Sequence, residues 1–206
     1  MQIRAVVLDL GDVLEVIDDS VFPGHWEERL GLPAGGFAAA APNSGLSGDP
    51  ALGEVSESDV RTYWQRCLHL DDATTDAMMA DFWRWYVGTL DQPLYDWFVG
   101  LRPRYRLGIL SNSGPGAREH EVVWGLEDVC DAIVYSHEVG LAKPDPAIYA
   151  LTAERLGVRP HEIAFLDDIE VNVQAAREAG WRAVRHRDTA QSIAAMQQIL
   201  SSGASA

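Results

Sequence analysis

The sequence predicts an α/β protein: a doubly wound parallel sheet flanked by helices, with an α-helical cap inserted after the first strand. Three observations predict it. Short, β-branched, almost continuously apolar runs recur along the chain, as strands covered on both faces require. Between the later runs lie helical patterns with legible starts and stops. From about residue 16 to 95 that alternation gives way to a tryptophan-rich helical stretch.

The first run, Ile3 to Leu10, reads as a strand buried on both faces. The stretch that follows holds Trp26, Trp64, Trp83 and Trp85, a Gly-, Ala-, Ser- and Pro-rich loop from Pro33 to Pro50, and two strong helical patterns. Ser56-Glu-Ser-Asp59 is a capping box for a helix running to about His69, and Asp71 or Asp72 opens another running to about Leu90. The tryptophans are expected to form the core of this small unit, and His25 is expected to pack or face solvent. Further strands are expected at Arg106 to Ser111, Ala132 to Ser136, Ile163 to Asp167 and Arg182 to Arg185. Asp145-Pro146 opens a helix that Gly157 stops, and a helix from Asn172 to Ala179 stops at Gly180. Ser201 to Ala206 reads as a frayed tail. The expected division is a core of residues 1–15 and 96–206 with a cap of residues 16–95.

A chain of 206 residues, 47% apolar and 23% charged, suits one globular domain carrying an insertion. Its 16 basic against 31 acidic side chains leave a net charge of −15, which argues against a nucleic-acid partner. No stretch approaches the roughly 18 apolar residues of a membrane span. Two distant cysteines, Cys67 and Cys130, suit a reducing compartment, so a cytoplasmic location is expected. Four tryptophans in so small an insert also make an interface between copies, a homo-oligomer, an option.

In an open parallel sheet, ligands sit beyond the carboxyl ends of the strands, so the polar residues there are the ones to collect. They are Asp9 with Asp12 beyond it, Ser111-Asn112, the pair Asp167-Asp168, and Lys143 in the link after the third core strand. Carboxylates converging from different strand ends repel unless a cation lies between them, and hard oxygen ligands select magnesium, Mg2+. A hydroxyl, an amide and an ammonium nearby would hold phosphate oxygens and leave one carboxylate to act as nucleophile.

Four pieces of the sequence together resemble the haloacid dehalogenase (HAD) superfamily: Asp9-Leu-Gly-Asp-Val-Leu14, Leu110-Ser-Asn112, Gly140-Leu-Ala-Lys-Pro-Asp145, and Phe165-Leu-Asp-Asp168 followed by Asn172. The resemblance implies a Rossmann-like HAD core with a small helical C1-type cap. Within the superfamily the chain is most similar to phosphatases of the glucose-1-phosphate type and to the N-terminal phosphatase domain of soluble epoxide hydrolases. By resemblance, Asp9 is the nucleophile that forms an aspartyl-phosphate, and Ser111, Asn112 and Lys143 bind the phosphoryl group, Lys143 pairing with Asp9 as well. Asp9, the Gly11 carbonyl and Asp168 hold magnesium, with Asp167 in support. The implied activity is hydrolysis of a small phosphorylated metabolite, a sugar phosphate or similar.

One departure matters. HAD phosphatases usually carry a second aspartate, the general acid and base, two positions after the nucleophile, and here that position is Gly11. Asp12 lies one residue further on, where the turn is expected to point its carboxylate elsewhere. Two other readings therefore stand beside the first: a non-catalytic module that binds a phosphometabolite or a protein partner, and a metal-independent haloacid dehalogenase. The dehalogenases also lack that aspartate, but they have no use for the metal that Asp167-Asp168 suggests.

Overall fold

A computed structural model describes residues 2–202. The expected tail falls mostly on residues 203–206, outside the described residues; Ser201 closes the last helix. The chain starts with β1 (Ala5–Leu8) and, after a tight turn, reaches a two-residue strand, β2 (Glu15–Val16). An insert of four helices follows: α1 (Gly24–Leu30), α2 (Gly36–Ala40), α3 (Glu57–Cys67) and α4 (Asp72–Val87). It returns through β3 (Thr89–Leu90), antiparallel to β2 with Glu15 opposite Leu90. Helices and strands then alternate: α5 (Gln92–Val99), β4 (Arg106–Ser111), α6 (Ala117–Glu121), α7 (Leu126–Val129), β5 (Ala132–Tyr135), α8 (Ser136–Val139) and α9 (Pro146–Leu156). The chain closes with β6 (Ile163–Asp167), α10 (Glu170–Glu178), β7 (Arg182–Arg185) and α11 (Thr189–Ser201).

Five strands form one parallel sheet in the order β5-β4-β1-β6-β7, with Ala5 of β1 level with Arg106 on one side and Ile163 on the other. The order reverses at β1, so the crevice beyond its carboxyl end is the switch point of the sheet. β1 is buried throughout because it feeds both cores in alternation. Val6 and Leu8 pack with Leu94, Phe98 and Met196, whereas Ala5 and Val7 pack with Ile148, Leu156 and Val173. Each such Val or Leu, fully buried, stabilises the fold by about 1.5–3 kcal/mol.

The insert has its own core, in which Phe22, Trp26, Phe37, Trp64, Met78 and Trp83 meet. Its rings pack edge to face, Phe22 on Phe37 at 5.0 Å and Trp64 on Phe82 at 5.1 Å. α2 has no capping side chain of its own. The buried Glu27 supplies one from α1, accepting from the N–H groups of Gly35 and Phe37. α3 starts at the expected capping box, Ser56 with Asp59, and α4 at Asp71, whose carboxylate accepts from Thr74. His25 is exposed and edge-on to Trp26.

Several expected boundaries move. The loop from Pro33 to Pro50 contains α2 and a 3-10 turn at Asn43–Gly45. α3 ends at Cys67, and His69 beyond it takes a left-handed φ of 53°. α4 stops at Val87 because Gly88 turns the chain with φ 59°, and any Cβ there would lie 2.5 Å from the Val16 carbonyl oxygen. That close approach lets Thr89–Leu90 pair with β2 in place of a last helical turn. α10 begins at Glu170, two residues before Asn172.

Candidate active site

Asp9 leaves the end of β1 with its N–H on the Leu166 carbonyl of β6, 3.0 Å away. Its carboxylate, 6% exposed as a residue, accepts from the Leu10 N–H at 2.9 Å. Lys143, the single lysine of the chain, reaches the same carboxylate from the link between α8 and α9. Its Nζ lies 2.7 Å from Asp9 Oδ1 and 2.7 Å from Asp167 Oδ2, so one buried ammonium bridges the ends of β1 and β6. Asp167 is saturated further by the Ile169 N–H at 2.8 Å and by the Asn172 amide at 3.2 and 3.3 Å.

Asn112 fixes that link. Its amide donates to the Lys143 carbonyl and its carbonyl accepts the Lys143 N–H, both at 2.8 Å. The side chain thereby positions Lys143, and exposed Asn112 also lines the crevice. Ser111, buried at the end of β4, and half-buried Asp168 complete the wall of a crevice of about 270 Å³. The residues singled out in the sequence are thus brought together, except that Asp167 serves the ammonium and does not line the crevice.

The charges are finely opposed. Burial pushes the Asp9 carboxyl up to about 7, with Lys143 pulling down and Asp167 adding to the rise. Burial pulls the Lys143 ammonium down, but Asp9 and Asp167 outweigh it and leave its pKa above the ordinary value. Asp168 is raised by burial and by its neighbour Asp167. Carboxylate oxygens of Asp9, Asp167 and Asp168 lie within 4.8 Å of one another. Three carboxylates against one ammonium, with Asp168 and Gly11 open to the crevice, make a set of hard oxygen donors short of positive charge, and that fits a small divalent cation.

Gly11 and Asp12 both line the crevice but differ in backbone conformation. A Cβ at Gly11 would meet nothing within 4 Å, whereas Asp12 takes a left-handed φ of 55°. The Asp12 side chain is exposed, and its charge acts on Asp168 and His186.

Sequence reasoning missed Glu15. This side chain is 1% exposed, lines the crevice with Asp9, and accepts from Trp124 Nε1 at 3.0 Å. Near it lies Glu121 of α6, also 1% exposed, whose two carboxylate oxygens have no hydrogen-bond partner among the described residues. Burial first, then the charge of Glu121, pushes Glu15 up to about 9. Burial pushes Glu121 up to about 7, and Tyr135 alongside pulls it back only in part. An acid set among Val13, Leu14 and Val16 was the available signal, but it named no partner.

Against known proteins, a family model described as haloacid dehalogenase-like hydrolase matches residues 95–180. The phosphatase MT3486 of Mycobacterium tuberculosis is 31% identical over 89% of this chain and 87% of its own length. The pig bifunctional epoxide hydrolase 2 is 25% identical over 97% of this chain, which spans only 39% of that protein. Among solved structures, a HAD family enzyme of Bacteroides thetaiotaomicron in complex with magnesium and inorganic phosphate superposes with a TM-score of 0.70 at 23% identity. That match covers 90% of this chain and 94% of the other, and establishes likeness of fold. With the switch-point crevice, the bridging lysine and a relative of 31% identity along nearly its whole length, the chain belongs to the haloacid dehalogenase-like hydrolases.

Proposed function

We propose that this hydrolase is a magnesium-dependent phosphatase of small phosphorylated metabolites, working through a phosphorylated Asp9. The observation that carries the reading is Lys143, whose ammonium stands 2.7 Å from both Asp9 and Asp167 at the base of the crevice. It orients Asp9 and, as the only cation among the residues lining the crevice, supplies positive charge for a phosphoryl group. An Asp9 oxygen bonds to phosphorus as the ester P–O bond breaks, and the leaving oxygen takes up a proton. Water then attacks the aspartyl-phosphate phosphorus and loses a proton, which restores the carboxylate and releases phosphate. The Ser111 hydroxyl donates to a phosphoryl oxygen throughout.

Asp9, Asp168 and the Gly11 carbonyl would hold the magnesium, which when bound offsets the negative charge of the phosphoryl group. The mycobacterial relative is named a phosphatase, and the Bacteroides enzyme binds magnesium with phosphate; both support the reading. Residues 16–95 act as the cap over a core of 1–15 and 96–206, since Ile17, Asp19, Trp85 and Tyr86 of the insert line the crevice. No described helix is long and apolar enough to cross a membrane, and both cysteines are free thiols, which supports a cytoplasmic setting. A net charge of −15 speaks against nucleic acid as the substrate.

Turnover of p-nitrophenyl phosphate with magnesium and in excess EDTA, on wild type and Asp9→Asn, tests the reading. Activity that needs both the metal and Asp9 is expected. Full activity in EDTA would favour the metal-independent reading, and phosphate binding without any turnover would favour a non-catalytic module.

A further inference from the structure

Ser111 ends β4 and lines the crevice, and the two residues after it are each held by groups from elsewhere in the core. Asn112 is tied to Lys143. Ser113, buried, is tied to the start of α8 by both of its main-chain groups and by its side chain. Its N–H donates to the Ser136 hydroxyl at 2.9 Å, its carbonyl accepts from the same hydroxyl at 3.2 Å, and its own hydroxyl meets His137 Nδ1 at 2.8 Å. The next three residues, Gly114-Pro115-Gly116, offer no hydrogen-bonding side chain. Ser113 is therefore the last residue before α6 whose own side chain can fix this loop.

The anchor is itself braced. Ser136 is fully buried, and the half-buried His137 ring lies 5.8 Å from that of Tyr135, the residue level with Ser111 across β4 and β5. α8 also seats the insert's 3-10 turn Pro50–Leu52. Gly53, which ends that turn, is left-handed at φ 70°, and any Cβ there would run into the His137 carbonyl oxygen. Burial holds the His137 imidazole below its ordinary value, so near pH 7 the ring is neutral and its Nδ1 pairs with the Ser113 hydroxyl as donor or as acceptor. Since Ser136 already pairs both main-chain groups of Ser113, the bond to His137 satisfies no backbone group. What it adds is a second point of attachment, two residues from the hydroxyl that faces the crevice.

We infer that His137 is a positioning residue: through Ser113 it holds the loop after β4 in the placement that turns the Ser111 hydroxyl to the phosphoryl group, and so sets the affinity for phosphate. The inference rests on the phosphatase reading. A binding group must be held to within about 0.5 Å of its productive place, and a strand end followed by a loosely held loop does not ensure that. Because the Ser111 hydroxyl donates to the phosphoryl oxygen before, during and after transfer, a lost alignment weakens substrate, transition state and product phosphate alike. KM therefore moves and kcat moves little.

The test measures kcat and KM for p-nitrophenyl phosphate, and calorimetric binding of inorganic phosphate with magnesium, in wild type, His137→Phe, His137→Asn and Ser113→Ala. His137→Phe keeps a ring beside Tyr135 and removes Nδ1, so KM and the phosphate Kd should both rise by about 5- to 10-fold, the worth of one hydrogen bond, with kcat changed by less than about 2-fold. His137→Asn offers an amide that donates or accepts near the place of Nδ1 and should return both constants to within about 2-fold of wild type. Ser113→Ala removes the same bond from its other end, so it should match His137→Phe and add nothing when combined with it. If His137→Phe fails to fold, Ser113→Ala decides alone. Folded variants whose KM and phosphate Kd stay at the wild-type values overturn the positioning role and leave the phosphatase reading standing, and so does a loss that His137→Asn does not restore. Phosphate binding that weakens in His137→Phe and recovers in His137→Asn, with no turnover by wild type, sinks the phosphatase reading and keeps the positioning role. Wild type that neither turns over the ester nor binds phosphate overturns both.

Discussion

The two sides of the crevice treat buried acids in opposite ways. On the strand-end side, Asp9 and Asp167 share Lys143 at 2.7 Å each, and Asp167 takes three further donor contacts from Ile169 and Asn172. On the other side, Glu15 has one indole donor and the Glu121 oxygens have no hydrogen-bond partner among the described residues, with only the positive charge of Arg118 acting on Glu121. Compensated charge can stay ionised in a dry site, ready for an anion or a nucleophilic attack. Uncompensated acid takes up a proton instead, because an unpaired buried carboxylate costs more than neutralising it. Glu15, pushed up to about 9, is therefore protonated at neutral pH, while the strand-end acids face the ammonium where phosphate is proposed to bind.

The sharpest way to break this contrast is to remove the shared ammonium. Lys143→Ala leaves two buried carboxylates facing each other, so it should destabilise the fold by about 3–5 kcal/mol and lower turnover by several powers of ten. Denaturant unfolding beside the phosphatase assay checks both, and an unchanged stability would mean that Asp9 and Asp167 find compensation elsewhere. Asp9→Asn keeps shape and should keep the fold. Its turnover should fall by about 10⁴-fold or more, and a residual rate of a few per cent would require another nucleophile.

Next in size is Gly11→Asp. A Cβ at Gly11 meets nothing within 4 Å and its φ is not left-handed, so the side chain should be accommodated. If the absent carboxyl limits protonation of the leaving oxygen, alkyl phosphates should gain up to about 10²-fold and aryl phosphates little. Equal gains for both classes would show that leaving-group protonation is not what limits the wild type.

The smallest effect concerns stability against pH. Glu15 is raised from 4.5 to about 9 and Glu121 from 4.5 to about 7, so between those limits the folded chain holds more protons than the unfolded one. Stability contributed by these protonated groups is complete below pH 4.5 and is lost as pH rises through that window. Glu15→Gln keeps the acceptor for Trp124 and removes one titrating group, so its thermal midpoint should decline less between pH 5 and pH 9, by a few degrees (~2–4 °C per kcal/mol for a chain of this size). A variant whose melting falls as steeply as wild type would place the Glu15 carboxyl in the ionised state.

Much of the site was legible because its residues sit at strand ends, and strand ends follow from local pattern. Ser111 closes β4 and Asp167 closes β6, as the apolar runs before them require. Asn172 entered only as part of a motif, and its work on Asp167 depends on α10 starting at Glu170. Asn112 was legible as a crevice residue, but the hold of its side chain on Lys143, a partner 31 residues away in the chain, was not.

By itself, the sequence determined the alternation of strands and helices, the break after β1 and the gathering of Asp9, Ser111, Lys143 and Asp168 at one crevice. Those follow from short-range periodicity and from the rule that parallel strands end on one edge. Tertiary structure alone decided the end of α4 at Val87, where the approach of the Val16 carbonyl admits only glycine at position 88. It also decided the meeting of Glu15 with Glu121 and Trp124, and the burial of the Trp64 N–H without an acceptor among the described residues. Each of these is a contact across a long stretch of chain, set by how the insert and the sheet pack, and local sequence pattern carries no record of such contacts.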